Sequence, residues 1–527
     1  MNALEKSVIA CPSMALPFIF AFLFLLSGDF RAAATAAECE GRWIYIRELP
    51  SRFNTDLLAT CDDFPLLFEL REQQEKSLLP FIANHGLGPR THNRSHSWYR
   101  TDPLFMELLF HRRMLEYPCL VADPAAADAV FVPYYAAIAA LPFLYSPDQW
   151  NSSALHGRDL ADWLRRDRPA IWSRRAGHDH FLAVAGAAWD FDNDPAQTTV
   201  WGTAFLGLPE CYNLSALTLE SRAWPLQEHA VPPPTSFHPA TLGRFNAWLA
   251  RARRSRRPAL MLFAGGAAST SGRPNIASSI RAECELRRDL CDIVDCSRGA
   301  CAHDPGRFMR PMIRARFCLH PPGDTPTRRS TFDGILAGCI PVFFEEASAA
   351  RQFGWHLPRR RYSDFSVLIP KEEVVFRGRR IADVLEAIPR ARVRRMRNAV
   401  LELAAAVMYR RHGSSTALRA RKDAFDLAIE GVLRRIRRRV QAMEQGTNPL
   451  VLVGEDEEEQ HQQHLQPRVG DAADSAIYPN VLSVVRTGST GGGFGGEPNP
   501  ENSMVAFARL LCSCKLSCWC LASGPGD

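Results

Sequence analysis

The run from Phe317 to Phe344, FCLHPPGDTPTRRSTFDGILAGCIPVFF, admits few folds. Phe317 to His320 is a short apolar strand, and a loop with prolines and Gly323 follows it. A helix opens at Ser330 and reaches Cys339, and Ile340 to Phe344 is a second apolar strand. Two buried strands joined by one helix make a βαβ unit, which needs a parallel sheet covered on both faces.

The same alternation runs through much of the chain. Arg42 to Ile46 and Ala129 to Pro133 read as buried strands. Between them lie a short helical run at Phe53 to Leu58 and helical spacing from Leu104 to Tyr117. A helix at Leu155 to Arg166 and a strand at His180 to Val184 follow. Val231-Pro-Pro-Pro-Thr235 marks a hinge. Beyond it come a strand at Ala259 to Phe263, a helix at Ile276 to Asp289, and strands at Cys291 to Val294 and Phe317 to His320. Helices from Ile381 to Met443 close the pattern. A chain of 527 residues exceeds one ordinary core. The expected fold is therefore α/β with two domains facing a cleft, residues 38–235 and 236–445. Residues 446–527 carry an acidic run, a glutamine-histidine tract and GSTGGGFGG, a low-complexity tail expected to be disordered. Its final CSCKLSCWC matches no zinc framework.

Residues 1–37 carry an address. Val8 to Leu26 is almost wholly apolar, of a length between a signal-peptide core and the roughly 20 residues of a spanning helix. Ala32 to Ala37 resembles a cleavage site, so a signal anchor and a cleaved signal peptide both stand. Either one places the rest of the chain in the secretory lumen. Sequons at Asn93, Asn151 and Asn213 and a total of 15 cysteines agree with that address. Disulfides are expected rather than zinc, because no CxxC pair or histidine set has ligand spacing; the pairing stays open. Cys39 and Cys61 bracket the first structured segment, and Cys284, Cys291, Cys296 and Cys301 crowd together. The net charge of +6 comes from scattered arginine, without the interleaved aromatics or modules of nucleic-acid binders, so no nucleic acid is expected as a partner.

The βαβ unit also carries the chemistry. Gly323 and its small neighbours let loop amides approach an anion, and the helix dipole from Ser330 points at the same loop. Arg328 and Arg329 stand at the mouth, where guanidinium groups pair with phosphate oxygens. Asp333 shares the face of Ser330 and can accept from ribose hydroxyls. The blander reading leaves the arginines as a solvated helix start and Asp333 as a first-turn acid.

This stretch resembles the signature of the exostosin-like glycosyltransferases, and in particular their plant xyloglucan galactosyltransferase (katamari-type) branch. CEGRWIYIRELPSRFNTDLL at Cys39, GLGP at Gly86, ADAVFVPYYAAI at Ala127 and HDHFLAVAGAAWDF at His178 are similar to that branch. So are WGTAFLGLP at Trp201, SFHPAT at Ser236, FGWHLP at Phe353 and DAFDLAIEGVL at Asp423, in order from about Cys39 to Arg439. The resemblance implies a GT-B fold of two Rossmann-like domains, a UDP-sugar donor, inversion at the anomeric carbon and no obligatory metal or other cofactor. It further implies galactose moved from UDP-galactose to a xylose branch of a xyloglucan-like acceptor. The implied setting is the Golgi membrane, held by a single type II anchor with the catalytic part lumenal, among other Golgi transferases as partners.

Two departures bear on specificity. Where relatives carry Arg-Arg after Trp-Asp-Phe, this chain reads Asp192-Asn-Asp194, so that Asp190 to Asp194 imitates the DxD metal motif of another transferase fold. Glu345-Glu346 stands where relatives show a His-Pro-Gly-like turn. The acceptor base is expected on the N-terminal side of the cleft. Asp190 is favoured there over His180, with Asp179 beside it. Two alternatives remain: a transferase of the same fold using another UDP-sugar or wall polysaccharide, and a non-catalytic lumenal glycan-binding or scaffold protein.

Overall fold

The computed structural model describes residues 38–60, 78–92, 96–142, 144, 155–192, 202–222, 225, 227–266, 275–297, 300–323 and 325–450. The apolar run Val8 to Leu26, Cys61, Asn93, Asn151, Asp194 and residues 451–527 of the low-complexity tail lie outside the described residues. Among the described residues, no helix is long and apolar enough to cross a membrane.

Two parallel sheets form the frame. The first holds β1 (Ile44–Ile46), β2 (Ala129–Phe131), β3 (His180–Ala187), β4 (Ser215–Glu220) and β5 (Glu228–Ala230), paired in sequence order. The second holds β6 (Ala259–Gly265), β7 (Cys291–Asp295), β8 (Ala315–His320), β9 (Ile340–Phe343) and β10 (Val367–Leu368), in the order β10-β9-β8-β6-β7. Every pairing in both is parallel. Strands such as β2 and β9 are apolar and buried along their whole length, as sheets covered on both faces require.

The second sheet reverses direction. From β6 the chain steps to β7 on one side, then returns past β6 to place β8 on the other. That is the doubly wound order with a switch point between the C-terminal ends of β6 and β8, where open α/β sheets bind ligands. The first sheet has no reversal, so of the expected Rossmann-like pair only the second sheet shows a doubly wound order.

Helices cover the sheets: α1 (Met106–Met114), α2 (Arg158–Arg166), α3 (Leu242–Arg254), α4 (Ile276–Leu286), α5 (Pro305–Met312), α6 (Arg329–Ala337), α7 (Arg390–Glu402) and α8 (Ala424–Glu444). The expected Leu104 to Tyr117 helix splits into a 3-10 turn at Pro103–Phe105 and α1. Phe53 to Leu58 becomes two 3-10 turns, at Ser51–Phe53 and Asp56–Thr60. The helix α8 follows the second sheet in sequence but packs on the first. Phe425, Ile429, Val432 and Ile436 join one core with Phe131, Phe181 and Leu217. Arg435 donates to Glu228 O at 2.8 Å, and Arg439 donates to Ser215 Oγ at 3.2 Å.

Disulfides join Cys39 to Cys119, Cys284 to Cys291, Cys296 to Cys301 and Cys318 to Cys339. The sequence left the pairing open; the middle two join four cysteines that lie close together in the chain. Cys39 reaches Cys119 because β1 hydrogen-bonds the segment after α1, where Ile44 N–H donates to Cys119 O at 2.9 Å.

Candidate active site

The loop after β8 and the start of α6 lie at the switch point. His320 ends β8; it is 2% exposed, and burial aided by the nearby Arg328 charge pushes its pKa down to about 3. It is therefore a neutral ring. Its Nδ1 lies 3.1 Å from Ser330 Oγ, and its Nε2 is buried without a hydrogen-bond partner. Gly334 makes room for that ring, since a Cβ there would stand 3.3 Å from Nε2.

Gly323 works differently from the open amide its sequence suggests. Its N–H donates to Thr325 O at 3.1 Å. A Cβ at Gly323 would lie 1.8 Å from Arg328 Nη2, so the glycine is what allows the guanidinium to lie over the loop. Arg328 donates to Thr325 Oγ1 at 3.2 Å and to Thr327 O. Arg329 reaches away from the loop to Ala302 O at 3.3 Å and Ser236 Oγ at 3.2 Å. It thus spans from α6 to the loop beyond β7 and to the segment that crosses from the first sheet.

Asp333 lies one turn into α6 and is 3% exposed. Burial, only partly offset by Arg329, raises its carboxyl to about 6, and Oδ1 has no partner. The structure therefore places Gly323, Arg328 and Ser330 together at this loop, with Asp333 buried one turn behind and the Arg329 guanidinium directed to Ser236 and Ala302. Cationic guanidinium groups, helix-terminal amides and a carboxylate with a spare oxygen can hold a diphosphate and an adjoining polyol.

The C-terminal ends of β3 and β4 in the first sheet form a wall that meets this loop through Glu220 and Thr327. Asp190 stands in the 3-10 turn Ala188–Phe191 directly after β3 and is half-buried. Its carbonyl accepts from Thr203 N–H at 2.8 Å, and the Thr203 hydroxyl lies 3.1 Å from His156 Nδ1. His156, a neutral ring with a burial-depressed pKa of about 3, lies 2.9 Å from the Tyr134 hydroxyl. This buried chain fixes the turn that presents Asp190. Asp192 is engaged by Arg222, which also grips Glu228 through both carboxylate oxygens.

His180 is not brought to this wall. It opens β3 rather than closing it, and the strand's eight residues put roughly 20 Å between it and the Asp190 turn. Its Nδ1 lies 2.7 Å from Asp179 Oδ1, and Asp179 is also gripped by Arg174 at 2.7 Å. That buried cluster supports the far edge of the sheet. The sequence places His180 at the start of a strand ending at Val184; the strand runs on to Ala187, which carries the Asp190 turn still further from it.

Sequence reading missed Glu220. This residue ends β4, is 4% exposed and crosses to the second sheet. Its Oε1 accepts from Thr327 N–H at 3.1 Å and its Oε2 from the Thr327 hydroxyl at 2.8 Å. Burial raises its carboxyl pKa, against hydrogen bonds from Thr327 and Thr325 and the charge of Arg328. The next residue crosses too: Ser221 N–H and Oγ donate to Gln352 Oε1 at 2.8 and 2.9 Å. Among the described residues, no three His, Cys, Asp or Glu side chains converge as a metal seat.

Comparison with known proteins agrees with this geometry. The model of the Exostosin GT47 domain matches residues 38–384. The chain is 58% identical over 415 residues to "Probable xyloglucan galactosyltransferase GT19" of Arabidopsis thaliana, covering 77% of this chain and 93% of that one. It is 38% identical to "Probable xyloglucan galactosyltransferase GT14" of the same plant, over 76% of this chain and 75% of that one. It is 36% identical to its "Xyloglucan galactosyltransferase MUR3", over 76% and 63%. A likeness to a chain of the GtfA/B complex covers 63% of this chain and 61% of that one at 8% identity and a TM-score of 0.27, too distant to show a shared fold. The matched segment contains both sheets and the β8–α6 loop, and this chain belongs to the exostosin GT47 family of glycosyltransferases.

Proposed function

We propose that the protein transfers galactose from UDP-galactose to a xylose branch of xyloglucan, with inversion, in the Golgi lumen. The observation that supports this reading is the loop at the switch point, where Arg328 and the start of α6 meet, with Arg329 and Asp333 in the first turn of that helix. The relatives' names supply the sugar and the acceptor. In an inverting displacement the acceptor hydroxyl attacks the anomeric carbon as its bond to the UDP oxygen breaks. A base removes the hydroxyl proton, and cations stabilise the charge that gathers on the departing diphosphate. Arg328, Arg329 and the α6 amides take the second task, and Asp333 accepts from the ribose. We assign the base to Asp190, in the turn directly after β3, the strand that pairs with the Glu220 end of β4. The two parallel sheets support a GT-B reading, with the apolar run at Val8 to Leu26 as a type II anchor.

Release of UDP from a panel of UDP-sugars, with xyloglucan oligosaccharides as acceptors, tests the whole. UDP-galactose should lead the panel, and transfer should persist in a chelator. Turnover with another donor alone would favour the second reading. Asp192, which pairs with Arg222 and falls where the family resemblance leads one to expect an arginine, is the feature that favours such a change. Asp190→Asn should abolish transfer while UDP still binds. Near-normal turnover of that variant removes Asp190 from the mechanism.

A further inference from the structure

We propose that Glu220 is a positioning residue for the donor loop, so that one sheet sets the geometry with which the other receives the diphosphate. This inference rests on the donor-site reading above.

Glu220 is the last residue of β4, and both of its carboxylate oxygens cross to a single residue of the loop, Thr327. Thr327 is the residue before Arg328, which caps α6. Arg328 in turn folds back, its guanidinium donating to Thr327 O and Thr325 Oγ1. Its own carbonyl receives the Thr331 N–H at 3.1 Å, the first bond into the helix. Fixing Thr327 therefore fixes the Arg328 side chain and the entry of α6 together.

The loop at Gly323 has backbone freedom to lose when it binds an anion, even with Pro321, Pro322 and Pro326 restricting their own positions. A contact that removes this freedom beforehand improves donor binding without touching the donor. A carboxylate is otherwise a poor neighbour for a diphosphate. Here its charge is satisfied by an N–H and an O–H and is buried, with the Arg328 charge acting on it as well. Ser221 and Gln352 form a second, independent tie between the same two sheets, so loss of Glu220 alone should not separate them.

The test separates positioning from plain structural support and from proton transfer. Glu220→Ala should raise the KM for UDP-galactose on the order of tenfold, leave the acceptor KM unchanged and weaken UDP binding by calorimetry to the same degree. Glu220→Gln should recover most of the loss, because its amide oxygen can accept from the Thr327 N–H while its NH2 donates to Thr327 Oγ1. Thr327→Val should show part of the Glu220→Ala effect. The double variant should fall short of the summed losses, as coupled neighbours do. Unchanged donor KM and UDP affinity in Glu220→Ala would overturn the proposal. So would a Glu220→Gln variant that loses kcat alone, which would mark the charge as acting on a proton. UDP binding reads the coupling without turnover. A wild-type protein that binds UDP but transfers no sugar would therefore sink the proposed function and leave this inference standing.

Discussion

A buried carboxyl with one oxygen unpartnered is costly unless a ligand uses it. Asp333 is such a group, with its pKa raised by burial to about 6. Its folded-state pKa exceeds the unfolded value near 3.9, so the folded chain holds the proton more tightly and stability falls as pH rises from about 4 through 6. Asp333→Asn should remove that decline and stabilise the protein at pH 7 by about 1–2 kcal/mol, read as a higher thermal midpoint. The same change should weaken UDP binding on the order of tenfold, since hydrogen bonds to a charged acceptor contribute about 1.5–3 kcal/mol. A variant that is more stable yet binds UDP normally would remove Asp333 from the donor site. His320 acts in the opposite direction: it stays neutral in the fold with a pKa of about 3, while the unfolded chain takes up its proton below about 6.5, so its contribution is lost as pH falls through that range.

The β8–α6–β9 unit was legible because three cues coincide: two apolar runs, a proline-glycine loop and a polar helix start. Others were not. β5 is Glu228, His229 and Ala230, a buried strand with no apolar pattern to see. Its acid is held below the usual carboxylate range by Arg222 despite burial, and His229 stacks on Trp355 at 3.4 Å. Such polar strands become visible only with partners brought from elsewhere in the chain. The same limit hid Glu220, whose meaning lies in a residue 107 positions away. Within the unit, Cys318 on β8 bonds Cys339 just before β9, a separation of 21 residues that encloses the whole donor mouth. Replacing both cysteines by alanine should cost about 3 kcal/mol in a denaturant melt, by the loop-closure estimate. Donor KM should rise as the mouth loosens. If the double variant melts like the wild type, the bridge does not constrain this unit.

Across the whole molecule the two cores are tied through α8. Its capping residue Asp423 is fully buried and accepts from Arg113 Nη1 at 2.7 Å, from Arg113 Nη2 at 3.3 Å and from Arg410 N–H at 2.8 Å. Asp426 completes the capping box and receives Arg410. Arg113 lies on α1 of the first core, and Arg410 ends the segment returning from the second. The cluster thus joins both halves. Burial alone would raise the Asp423 carboxyl, but Arg113 and Arg410 hold it down at about 2. A depressed carboxyl contributes stability that is present above its unfolded pKa near 3.9 and is lost as pH falls toward its folded one. Arg113→Met should therefore act twice. At neutral pH it leaves a buried acid with only Arg410, costing about 3 kcal/mol. In acid the unfolding midpoint should move to higher pH, because the carboxyl loses the cation that kept its pKa low. Both sheets should unfold in one transition, since α8 belongs to the first core while its cap is set by the second. Two separated transitions, or an acid midpoint unchanged from wild type, would show that this cluster does not hold the halves together.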